Sequence, residues 1–385
     1  MAAKREIAKW KIDSPVEGWL GRRADGSDFW KRAYVLYYRM RDPGYYRAGL
    51  SMIEECFAKF GKAALSERER SMLARDMVYS LHRFGFMFDE YFWYGFEHLN
   101  ARGRKEFVPD KVRYKIYDDL NSLASYNLFL DKWKTYQEFK PFFGREAFLI
   151  SGGGSDKSAF LDFCERHPRF LVKPIDGNCG RGIAFYRVET VEDAEHAYSD
   201  AVSRGRAIVE EAIVQVDEMA AFHPSSVNTV RVPTLVKDGE VHIFGPFFRM
   251  GRGESIVDNA GSGGVFANVD SDTGICFTMG VDEVGASYLR HPDSGLTIPG
   301  FQIPQWDEAL SLAKKLALKV EGARYVGWDL ALTERGWVVV EGNSRAQFVM
   351  QIVDKRGRMR EFLDLAYGVG SERFQMWFGP EGRLE

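Results

Sequence analysis

From Trp30 to about Asn127 apolar positions recur three and four residues apart, in stretches such as SMIEECFAKFGKAAL and ERERSMLARDMVYSLHRFGF. That period predicts a mainly helical region, and the aromatic run from Phe84 to Tyr94 reads as its core. Near Leu130 the pattern changes. LDKWKTYQEFKPFF predicts a short helix, SGGGS (Ser151 to Ser155) a flexible connection, and KSAFLDFCERH a further helix. FLVKPI and GIAFYRV then read as strands flanking the loop DGNCGRG. The second half alternates turns with the strand candidates AIVEEAIV, TVRVPTLV, VHIFGPFFRM and VFANVD, interrupted by the amphipathic helix PQWDEALSLAKKLALKV. The tail from Val353 reads as the helix REFLDLAY and an aromatic, glycine-containing end. Few clean β-α-β repeats occur, which favours α+β or α/β layers over a doubly wound fold.

The last strand pair, YVGWDLALTERGWVVVEGN, predicts a hairpin. A three-residue loop of Glu334, Arg335 and a left-handed Gly336 would close Thr333 against Trp337 and set Asp329 directly opposite Glu341. Asn343, two residues on, would point the same way. Carboxylates so placed repel by up to about 4 kcal/mol at an intermediate dielectric, so the pair asks for a cation.

Composition narrows the classes. With 385 residues the chain suits two or three domains, and a formal net charge of -3 gives no general drive toward nucleic acid. No run approaches the ~20 apolar residues of a membrane span and the start lacks a signal-peptide core, so a cytoplasmic protein is expected. Cys56, Cys164, Cys179 and Cys276 are far apart, which argues against a disulfide framework or a zinc knuckle.

Several motifs fail on spacing. The loop Gly177-Asn178-Cys179-Gly180-Arg181-Gly182 is neither G-x-G-x-x-G nor a P-loop, DSDTG (Asp270 to Gly274) lacks the closing glutamate of a calcium loop, and no paired-histidine metal spacing occurs. What remains is a glycine loop between strands with Lys173 before it, suited to cradling phosphate. Arg231 and Arg249 sit in apolar strands where each needs an anionic partner, and Asp258, Asn259 and the glycines after them add a second close-approach segment. Asp329, Glu341 and Asn343 offer hard oxygen ligands suited to magnesium, and magnesium commonly binds with substrate phosphates.

In order and spacing, LDKWK, FLVKPIDGNCGRGI, AIVEEAIVQ, SSVNTVRVPTLV, FFRMGRGESIVDNAGSGG and WDLALTERGWVVVEGN resemble the ATP-grasp superfamily over roughly residues 125 to 355. HPSSVNTVRV and DNAGSGGVFANVDSDTG look closest to its sugar-transfer-associated branch. The resemblance implies two α+β subdomains gripping ATP: 1–126 as the helical N-terminal region, 127–206 as the small subdomain, 207–355 as the large one with the metal site, and 356–385 as a C-terminal helix and tail. It implies that Lys132 and Lys173 contact ATP phosphates and that Gly177, Asn178, Gly180 and Gly182 belong to the closing loop. Glu210, Glu211 and Ile213 would lie on the strand reading adenine, with Asp217 or Glu218 at the ribose. Lys173, Arg231 and Arg249 would act at the transferring phosphate, and Asp329, Glu341 and Asn343 would bind Mg2+, with Mn2+ as the alternative. The activity implied is an ATP-dependent carboxylate-amine ligase working through an acylphosphate on small-molecule substrates, in polysaccharide or cell-envelope biosynthesis. The alternatives are a sugar or polyol kinase and a non-catalytic ATP-binding module. After Glu341-Gly342-Asn343 the sequence departs from the family's proline and glycine with Ser344, Arg345, Ala346 and Gln347, on the acceptor side. The N-terminal helices are open to three roles: shaping the acceptor pocket, forming a homodimer, or docking a partner.

Overall fold

A computed structural model describes residues 15–151, 156–175 and 182–379, and these divide into two compact units, one from residues up to 119 together with those from 347 on, the other from 120–346. Most of the predicted glycine loop (Gly177, Asn178, Cys179, Gly180 and Arg181) and Gly152 to Ser155 of SGGGS lie outside the described residues.

The first unit is helical. Its helix Glu67–Phe84 starts on a capping box, Ser66 with Glu69, and stops at Gly85, whose φ of 88° suits a residue without Cβ. Phe84, Phe86, Tyr91 and Phe96 are fully buried, so the aromatic run is core as its spacing predicts. Asp76 draws the helices together, accepting from Lys31 Nζ (2.7 Å), Tyr91 Oη (2.6 Å) and Arg104 Nη2 (2.6 Å). The tail does not stand apart. Helices Met350–Asp354, Met359–Tyr367 and Glu372–Phe378 join this unit, with Gln351 Oε1 accepting from Val108 N (2.9 Å) and Met359 N donating to Glu106 O (2.8 Å).

The second unit carries two antiparallel sheets. The smaller has the order β1-β4-β2-β3, with β1 Ala147–Ile150, β2 Arg169–Pro174, β3 Ala184–Arg187 and β4 Ala207–Glu211. Helices Lys157–Arg166 and Val191–Ser203 cover one face through Phe160, Phe163, Ala197 and Ala201 against Phe170, Val172 and Val209. Strand alternation turns Lys173 and Glu210 to the other face. Two elements here, β1 and the helix Val191–Ser203, have no counterpart among the predicted ones.

The larger sheet runs β10-β9-β8-β7-β5-β11-β12 with β6 also on β5. Its strands are β5 Val230–Lys237, β6 Glu240–Ile243, β7 Phe247–Met250, β8 Val265–Asn268, β9 Gly280–Val281, β10 Ser287–Tyr288, β11 Tyr325–Thr333 and β12 Gly336–Asn343. One face is apolar, with Val230, Val232, Phe248, Trp328, Leu330 and Val339 packed with Ala309, Ala313 and Leu316 of the helix Trp306–Ala317. Pro233 is tolerated inside β5 because its carbonyl side faces the gap where pairing passes from β7 to β6, and no ladder donor is lost there.

The closing hairpin differs from expectation in its turn. Thr333 pairs with Gly336, whose φ is 100°, not with Trp337, so the turn is one residue shorter. The ladder then jumps from Leu330↔Val339 to Asp329↔Glu341, leaving Val340 as a bulge. The two one-residue shifts cancel, and Asp329 does lie opposite Glu341.

Candidate active site

Four strands deliver one polar row. Asp329 pairs with Arg231 on β5 and Glu341 on β12, while Arg231 pairs with Phe247, two residues before Arg249 on β7. Directly opposed residues share a face, so Arg249, Arg231, Asp329 and Glu341 lie on the side of the sheet opposite the apolar core. Glycines make room. A Cβ on Gly327 would stand 2.6 Å from Ala346 Cβ and 3.0 Å from Arg231 Cδ, and one on Gly342 would stand 2.7 Å from Phe129 and 2.8 Å from Trp328. The E-G-N spacing therefore places Glu341 in the row while keeping the core-side position empty.

Asp329 is 4% exposed and held by both arginines. Arg231 donates through Nε and through Nη2 (2.6 Å), and Arg249 through Nη1 (2.5 Å). Arg249 continues to Asp258 (2.9 Å) and to Asn259 Oδ1, and Asp258 accepts from Thr229 N (3.0 Å) and Oγ1 (2.5 Å). Burial pushes the Asp329 carboxyl up, but the Arg231 guanidinium, and Arg249 after it, hold it below the usual carboxylate value. Glu341 goes the other way: burial and then the charge of Asp329 raise it, against a downward pull from Arg231, Lys132 and Arg249. Among the described residues the Glu341 carboxylate makes no hydrogen bond or ion pair. Asn343 Oδ1 accepts from Arg345 N (3.0 Å) and keeps a lone pair.

Of the other expected residues, Lys173, Glu210 and Glu211 lie on the small sheet, while Asp217 follows Val216, whose N–H donates to Leu332 O of β11. Lys132 opens the helix Lys132–Phe143, its N–H on Ile175 O (3.3 Å). Lys173 Nζ lies 2.9 Å from Glu210 Oε2, which also accepts from Arg145 Nε (2.8 Å) and Nη2 (2.5 Å). Although Glu210 is buried, Arg145 and Lys173 lower its pKa to about 2. Glu211 Oε2 accepts from Glu146 N (3.1 Å). Beyond β4 the backbone of Ile213 makes no hydrogen bond among the described residues, so its edge is open. Asp217 is exposed in the first turn of the helix Asp217–Ala220, and Gly182 takes a φ of 76° beside Pro174.

Two sets of residues were not found from sequence. Arg145 follows the helix-ending Gly144 and belongs to none of the motifs quoted from the sequence. The other set explains HPSSVN: Asn228 exchanges two 2.7 Å bonds with Gln215 and accepts from Gly251 N (3.0 Å), while His223 binds Ser226 Oγ and Gly253 O at 2.9 Å. That network fixes the start of the segment carrying Asp258 and Asn259.

The sequence model of a family described as sugar-transfer associated ATP-grasp matches residues 111–364. No curated protein matches the chain. Similar solved structures include D-alanyl-alanine synthetase A from Vibrio cholerae, 12% identical over 57% of this chain and 56% of that one with a TM-score of 0.36. An N5-carboxyaminoimidazole synthase from Aspergillus clavatus is 12% identical over 67% and 58% with a TM-score of 0.41. The ATP-grasp ligase PsnB is 14% identical over 74% and 64% with a TM-score of 0.35. The chain spans about half the length of the D-alanyl-alanine synthetase it matches.

Proposed function

Because the chain belongs to the sugar-transfer associated ATP-grasp family, we propose that it is an ATP-dependent carboxylate-amine ligase. A substrate carboxylate oxygen attacks the γ-phosphorus, the bond to ADP breaks, and an acylphosphate forms. An amine nitrogen then attacks the acyl carbon, losing a proton as inorganic phosphate leaves with the C–O electron pair. The family's description supports a place for the resulting amide in polysaccharide assembly.

The observation that carries this reading is the Glu341 carboxylate, unpartnered among the described residues, opposite an Asp329 already neutralised by two arginines. The donor set fits a hard divalent cation: among the described residues Glu341 is unbonded, Asn343 Oδ1 has a spare lone pair, and Asp329 Oδ1 accepts from Arg231 Nε alone. Glu341, Asn343 and Asp329 would hold magnesium or manganese, which would neutralise charge on the β- and γ-oxygens.

The chain's own groups do the rest. Arg231 and Arg249 are fixed by their carboxylates, so their charge is preorganised for the transferring phosphoryl group, where one such donor is worth ~10²–10³ in turnover. Lys173 has one donor on Glu210 and others left for phosphate, with Lys132, whose charge acts on Glu341, as a second cation. The open Ile213 edge suits adenine, with Glu210 and Glu211 fixing its strand and Asp217 near the ribose. Gly177, Asn178, Gly180 and Gly182 are assigned to the loop over the phosphates.

The test is a phosphate-release screen with ATP, magnesium and a matrix of amino acids, amino sugars and small carboxylates, followed by product analysis. A ligase gives ADP, phosphate and an amide. A phosphorylated acceptor without free phosphate would make the protein a kinase, and ATP binding without acceptor-dependent ADP release would reduce it to a binding module.

A further inference from the structure

We propose that Arg145 is a positioning residue that holds the Val340 bulge, and through it decides which face of the sheet Glu341 occupies. The proposal concerns the hairpin itself; its consequence for metal and nucleotide rests on the ligase reading above.

Val339 packs into the apolar core, on the face of Leu330 and Trp337. By strict alternation Glu341, two residues later, would also enter that core, where an unpaired carboxylate is strongly disfavoured. The extra residue at Val340 reverses the alternation and sends Glu341 to the side of Asp329. A bulge leaves backbone groups without ladder partners, and β12 is an edge strand with nothing beyond it in the sheet. Arg145 supplies the missing donors. Its Nη1 donates to Val339 O (2.6 Å) and its Nη2 approaches Val340 O (3.3 Å). Neighbouring carbonyls of a regular strand point to opposite edges, so one guanidinium can reach both only where the strand is irregular.

The remaining bonds of Arg145 fix its own position. Nη1 also donates to Phe143 O (3.0 Å), and Nε and Nη2 grip Glu210, which holds Lys173. The same planar fork thus joins the lysine expected at the phosphates to the strand carrying Glu341. A lysine can neutralise Glu210 but, as a single flexible donor site, cannot span two carbonyls and a carboxylate.

The experiment compares wild type with Arg145→Lys, and with Arg145→Gln, in which Lys173 alone neutralises Glu210. Amide hydrogen exchange is read peptide by peptide, and Mn2+-ATP affinity by calorimetry. Exchange over residues 339–343 is expected to rise at least tenfold in folded variants while β5 and β7 keep their protection, with Mn2+-ATP affinity falling at least tenfold. Uniformly faster exchange across the unit, or a hairpin protected as in wild type in either folded variant, would overturn the proposal. If wild type itself fails to bind Mn2+-ATP while the hairpin loosens as expected, the ligase reading falls and the role of Arg145 stands.

Discussion

At the scale of single residues, three carboxylates on the two sheets are tuned in opposite directions by their neighbours. Glu210 sits at about 2 against an ordinary 4.5, so its charged form stabilises the fold by about 3 kcal/mol above the ordinary value. The group's folded pKa is depressed, so that contribution is present at neutral pH and is lost as pH falls from about 4.5 toward 2. Thermal melts from pH 6 to pH 3 should therefore show a steep acid limb in wild type. In Glu210→Gln the limb should flatten and the neutral-pH melting temperature fall, because Arg145 and Lys173 lose their counter-ion. Glu341 is raised by burial and by Asp329, so stability falls as pH rises from its ordinary value to its folded one, and the full cost of the ionised form is present above that. Glu341→Gln should melt no lower than wild type at pH 7 while losing ~10²-fold or more of ATP turnover; a clearly lower melting temperature would make Glu341 a structural group. The residue types were legible in the sequence, since arginines in apolar strands need anions. Their tuning was not, because it depends on which carboxylate each arginine reaches across the sheet.

At the scale of elements, the strands were readable where apolar runs were bounded by turns, and β5, β8, β11 and β12 fall where the pattern puts them, whereas the single candidate VHIFGPFFRM is two strands, β6 and β7, broken at Phe244 to Pro246. The hairpin shows what a pattern cannot carry. Its turn is shorter than expected and a bulge restores the register, and the bulge is held by an arginine 194 residues away in sequence. No local signal in WVVVEGN reports that contact. Gly342 was legible only as part of a motif, whereas the structure gives its cause: a side chain there would strike Phe129 and Trp328. Gly342→Ala should accordingly cost about 1–3 kcal/mol through overpacking, measured by urea unfolding. An unchanged midpoint would mean that Phe129 moves aside freely.

At the scale of the whole molecule, the tail read from sequence as a separate end is part of the first unit. Phe348, Phe362, Phe374 and Phe378 are buried there, each worth ~1.5–3 kcal/mol, and Arg373 pairs with Asp119 at 2.7 Å. Ending the chain after Ala346 should therefore unfold the N-terminal helices, seen as lost helical circular dichroism, while residues 120–346 keep a cooperative melt. Helical content unchanged by that truncation would contradict the assignment of the tail. The discontinuity was not legible because the amphipathic pattern of REFLDLAY shows that a face is buried, not against which segment. Among the described residues no helix is long and apolar enough to cross a membrane. We propose that the polar row ending in Glu341 receives the metal of bound ATP. The most direct measurement is calorimetric titration of Mn2+-ATP into wild type and Glu341→Gln at pH 7. Binding at least tenfold weaker in the variant, with an unchanged fold, is expected; equal affinities would rule Glu341 out as a metal ligand.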